Sequence, residues 1–92
     1  PALIPVMGEN FRGIAEAVLY NMRQGNYASD YDVHVARKVA HILSGGDCAE
    51  GTLVTEEEIL ALEREAFLSL CGEKQTQDRI MFMLNTGKPL RN

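Results

Sequence analysis

The 92 residues predict an all-α fold, an irregular bundle of four short helices in a single domain over residues 1–92. Three observations predict it. Apolar residues recur at three- and four-residue steps in four separate segments, the spacing of one helix face. Glycine-bearing breaks divide these segments, and residues suited to helix capping open them. No segment shows the strict alternation of a half-buried strand.

The first segment, GENFRGIAEAVLYNMRQG, places Phe11, Ile14, Ala15, Val18 and Met22 on one stripe. Glu9 or Asn10 starts it, and Gly25 stands where a left-handed C-terminal cap is expected. Gly13 inside the helix costs about 1 kcal/mol against alanine. It is either a close-approach point for another backbone or a tolerated weak point. The second segment, SDYDVHVARKVAHILSGG, opens on Ser29 as N-cap, with Asp30 and Asp32 at the positive end of the helix dipole. Ala36, Val39, Ala40 and Leu43 form its inward stripe, widened by Val35 and Ile42, and Gly45–Gly46 stops it.

The third helix follows the loop GGDCAEGTLV and opens at Thr55, with Glu58 three residues on, the spacing of a reciprocal capping box. Val54 and Ile59 are spaced as the flanking hydrophobic staple. Its stripe is Ile59, Leu62, Ala66, Phe67 and Leu70, and its stop is Gly72. The fourth, TQDRIMFMLNTG, is expected to start at Thr76 and end at Gly87, with Pro89 blocking any continuation. Lys88 and Arg91 then place positive charge near the negative end of the helix.

Composition limits the function classes. A net charge of -4 without a basic stripe argues against nucleic acid as a partner. No apolar run approaches the ~20 residues of a membrane span. The opening PALIPVMG lacks the charged n-region of a signal peptide, and a start at Pro1 suggests a piece of a longer chain. Cys48 and Cys71 have no CxxC partner and read as two reduced thiols, with a disulfide as the lesser alternative. Together these features suggest a cytoplasmic protein.

The residues contain no recognisable catalytic, cofactor-binding or metal-binding motif. His34 and His41 lie two helical turns apart, about 10 Å along the axis, too far to share one metal without a ligand from another helix. They read as surface or boundary histidines. Glu56–Glu57–Glu58 compensates a helix dipole. Glu63 shares a face with Ile59, Ala66 and Phe67, so an ion pair is expected, with Arg64, Arg37, Arg79 or Lys38 as its partner. The glycines of the 45–51 loop form neither GxGxxG nor GxxxxGK[ST].

One feature points outward. Ile80, Met81, Phe82, Met83 and Leu84 cover more than half the circumference of the last helix, more than a four-helix domain can bury. With Arg91 of the basic tail, they form a candidate docking surface.

The motifs AHILSGG, LEREAFLSL and GKPLRN occur in this order in the stretch from about Leu19 to Asn92, about four fifths of the chain. This stretch resembles the carboxyl terminus of large bacterial 3-hydroxyacyl-CoA dehydrogenases of fatty-acid β-oxidation that also carry an enoyl-CoA hydratase region. The resemblance implies an NAD-dependent parent enzyme whose catalytic apparatus lies outside these residues. It also implies docking on the remainder of the polypeptide or on a sister subunit, with contact to acyl-CoA as an option. A free-standing helical interaction module is the alternative.

Overall fold

The computed structural model describes residues 3–92. Pro1 and Ala2, with which the expected fragment start begins, lie outside them. The order of elements is β1 (Leu3–Pro5), α1 (Glu9–Gln24), α2 (Asp30–Leu43), β2 (Leu53–Thr55), α3 (Glu56–Cys71) and α4 (Lys74–Thr86). The all-α irregular bundle is therefore observed, with one addition. β1 and β2 pair antiparallel in the register Leu3 with Thr55, Ile4 with Val54 and Pro5 with Leu53. Three-residue strands are too short to show alternation, so periodicity could not reveal them.

The ribbon ties the chain's opening to the loop between α2 and α3. Val6 N–H donates to Thr52 C=O at 3.0 Å, Met7 N–H to Leu43 C=O at 2.9 Å and Glu9 N–H to Cys48 C=O at 2.8 Å. Val6 and Val54 are buried there, and Ala28, just before α2, is buried with Tyr31, Val33 and Ala40 of α2 itself. Gly8, at φ +80°, lies so close to the loop that a Cβ would sit 2.3 Å from the Glu50 backbone nitrogen.

Helix ends follow local chemistry, with three departures. At Ser29 the capping box is complete: Ser29 Oγ accepts from Asp32 N–H, and the Asp32 carboxylate accepts from Ser29 N–H. At Thr55 only half of the expected box forms, because Thr55 Oγ1 accepts from Glu58 N–H while its own hydroxyl donates to the Glu58 carboxylate. Gly25 is not the left-handed residue, having φ -79°; Asn26 takes that conformation at φ 61°. Asparagine tolerates the left-handed region, and Tyr27 and Ala28 N–H then return to Met22 C=O. The third departure is α4, which begins at Lys74 rather than Thr76. Gly87 closes it as expected, left-handed at φ 70°, with its N–H on Met83 C=O at 2.8 Å.

The packing is open. The radius of gyration is 15.0 Å, in a slab of 41 × 30 × 19 Å, against about 12 Å for a compact domain of this length. The accessible surface is 6478 Å², against about 5,300 Å² for a folded monomer of this mass. α1 lies on α2, joined by the two-pronged pair of Arg37 with Glu16 at 2.6 and 2.9 Å, and α3 lies on α2 and β2. Several residues of the expected inward stripes are largely exposed: Ile14, Val18, Val39, Leu43 and Phe67.

The two glycines make opposite predictions. Gly8→Ala should destabilise the fold by at least about 2 kcal/mol, from left-handed strain and the backbone collision. Around Gly13 nothing lies within 4 Å, so Gly13→Ala should stabilise by about 0.5–1 kcal/mol. Urea unfolding of the two variants beside the parent sequence checks both signs.

Candidate functional site

α4 is held to α2 by polar side chains. Tyr31, in the first turn of α2, is 4% exposed. A buried phenol needs a partner for its hydroxyl, and two residues of the α4 end supply it. Tyr31 O–H donates to Glu73 Oε2 at 3.2 Å, and the Thr76 hydroxyl closes on the Tyr31 hydroxyl oxygen. His34 Nε2 lies 2.9 Å from both Glu73 oxygens. Because a carboxylate only accepts, that nitrogen carries the proton. Glu73 is thereby occupied, which explains why it flanks α4 as N-cap without a side-chain capping bond. Thr76, expected as the cap, lies inside the helix and serves Tyr31 instead.

A second strand of contacts runs beside the first. Arg79 sits over the Tyr31 ring at 4.8 Å, donates to Asp32 Oδ1 at 2.9 Å and reaches Asn92 Oδ1 at 2.5 Å. Asn92 returns a bond to Gln75 C=O at 3.1 Å, which folds the tail back on α4. Bonded by the Ser29 backbone N–H and paired with Arg79, the Asp32 carboxyl is held below its ordinary pKa against a smaller opposing effect of burial.

With this edge engaged, the expected docking residues face outward. Ile80, Met81, Met83 and Leu84 are exposed, Leu84 to 73%, and Phe82 is at the margin with 37%. Arg91 is exposed as well, but its guanidinium donates to Asn26 C=O at 2.5 Å, so it clamps the tail to the α1–α2 turn. A second apolar surface, unforeseen as such, runs between α1 and α2 over Ile14, Val18, Val39 and Leu43.

Other expected residues are placed differently. Glu63 is exposed, and no ion pair forms on it among the described residues: Arg37 pairs with Glu16, Arg79 with Asp32, and Lys38 donates to Ser69. His34 is half-buried against Glu73, and His41 lines a cleft between α2 and α3. Cys48 and Cys71 are free thiols. Among the described residues no helix is long and apolar enough to cross a membrane, and no group of three or more His, Cys, Asp or Glu side chains gathers as a metal site. The node of Tyr31, Glu73, Thr76 and Arg79 left no mark in the sequence beyond an aromatic residue between two aspartates.

Over 71 residues, 77% of this chain, the sequence is 49% identical to a probable 3-hydroxyacyl-CoA dehydrogenase of Bacillus subtilis (strain 168). The chain's match spans 9% of that relative's length. No family model and no solved structure matches the chain. The likeness to a 3-hydroxyacyl-CoA dehydrogenase, expected from AHILSGG, LEREAFLSL and GKPLRN, is thus supported, and it concerns a small part of such a protein.

Two predictions come from the node. Tyr31→Phe should lower stability by about 1 kcal/mol and speed amide exchange in α4 more than in α1, read by hydrogen exchange with mass spectrometry. Asp32 binds its proton less readily folded than unfolded, so its contribution is present above the unfolded pKa and is lost as pH falls below about 4. Asp32→Asn should remove that part of the acid-side loss when unfolding is followed between pH 6 and 3.

Proposed function

We propose that the chain is a non-catalytic helical part of a 3-hydroxyacyl-CoA dehydrogenase that also carries an enoyl-CoA hydratase region. In this reading it stands at the carboxyl end of a cytoplasmic enzyme of fatty-acid β-oxidation, whose NAD is bound elsewhere on the polypeptide. Its role is to support the fold, subunit assembly or acyl-CoA cleft of that enzyme. The observation that carries the reading is the 49% identity to a short stretch of the Bacillus protein.

The surface supports it. Fully burying a large apolar side chain yields about 1.5–3 kcal/mol. Ile80, Met81, Phe82, Met83 and Leu84 are already about half covered, so covering the rest of their surface yields about 4–7 kcal/mol. Association between separate molecules costs a comparable amount, roughly 4–15 kcal/mol. A face of this size therefore suits a neighbour on the same polypeptide or in a permanent assembly better than a passing partner.

The test uses the full-length polypeptide carrying this segment. Met81→Glu with Leu84→Glu alters two exposed positions of α4, so the helix itself should persist by circular dichroism. The variant should lose subunit mass by light scattering, or lose at least tenfold in 3-hydroxyacyl-CoA oxidation or enoyl-CoA hydration. Unchanged mass and activities, in this variant and on deletion of the whole segment, would sink the docking role and leave the free-standing module as the better reading.

A further inference from the structure

α2 and α3 leave an open cleft of about 280 Å³ between them. Contacts between packed helices are ordinarily apolar, yet the α2 wall of this cleft presents His34, Arg37, Lys38 and His41 in succession. Their spacing of three, one and three residues puts all four on one helix face. Two of them are committed, His34 to Glu73 and Arg37 to Glu16.

The other two are free to act. Lys38 has no carboxylate partner among the described residues; its Nζ crosses the cleft to donate to Ser69 Oγ at 3.0 Å. His41 lies one turn further along with no hydrogen-bond partner among the described residues, and it is half-buried at the same cleft. An ammonium, an imidazole and a hydroxyl thus border one small space over an apolar floor of Leu62 and Ala66. Small-molecule pockets start at about 300 Å³, so the space suits a compact group. Glu65 is the opposing carboxylate on this cleft and weakens any anion there.

We propose that the α2–α3 cleft binds a phosphate-bearing anion, held by Lys38 and His41 with Ser69 completing the donor set. Compact oxygen anions match a lysine point charge and short donors from two helices. The protein's net charge of -4 repels anions at long range, so binding depends on these local contacts. The proposal stands apart from the dehydrogenase reading.

The test is a titration of the full chain with inorganic phosphate and with pyrophosphate at constant ionic strength, followed by ¹H–¹⁵N NMR. Saturable shifts are expected at Lys38, His41 and Ser69, and the tighter of the two ligands tells a single phosphate from a diphosphate. Lys38→Gln should weaken binding at least tenfold, while Lys88→Gln, outside the cleft, should leave it unchanged. Glu65→Gln should tighten it several-fold, an outcome that a merely damaged fold does not produce. Absence of saturable shifts, equal loss in the two lysine variants, or no gain on removing the Glu65 charge would each overturn the site.

Discussion

The placement of α4 depends on satisfying one buried phenol. Tyr31 is enclosed at the start of α2, and an oxygen withdrawn from water without a partner costs a few kcal/mol. Glu73 and Thr76 meet that demand from the far end of the chain. Glu73 cannot cap its own helix while it also receives His34, so α4 begins without a side-chain cap. Thr76 is turned inward by the same requirement. The rotation of α4 about its axis, and hence the outward direction of its apolar residues, follows from a polar contact rather than from hydrophobic packing.

This inverts the usual arrangement of a small bundle, in which apolar stripes meet and polar residues remain outside. Among the described residues the buried apolar ones are mostly small or lie by the ribbon and the α2 start: Val6, Ala28, Tyr31, Val33, Ala40 and Val54. Longer side chains on α1, α3 and α4 remain exposed, and the slab is wider than its length requires. Such a surface matches a segment whose relative keeps more than nine-tenths of its length outside the shared stretch. The helices supply a shape and the polar node fixes it, leaving apolar faces for a neighbour to cover.

The legible parts of the structure are those settled within one helical turn. Ser29, Thr55 and Gly87 could be assigned from sequence because each acts on a backbone group two to four residues away. The breaks at Gly45–Gly46 and Gly72 were readable for the same reason. Even there, neighbours adjusted the detail: Asn26 took the left-handed role expected of Gly25, and the Thr55 hydroxyl used the Glu58 carboxylate that a full capping box assigns to the backbone. The excess of apolar residues over Ile80–Leu84 was also visible, since it depends only on counting faces of one helix.

The sequence by itself determined four helices, their breaks and most of their caps, because these rest on contacts between near neighbours along the chain. Tertiary structure alone decided the β1–β2 ribbon, whose strands are too short to leave a period. It likewise decided the Tyr31–Glu73 bond across 42 positions and the exposure of Glu63, which spacing had assigned to an ion pair. The physical reason is common to all three. Each depends on which distant groups compete for the same partner, and that competition exists only once the helices have met.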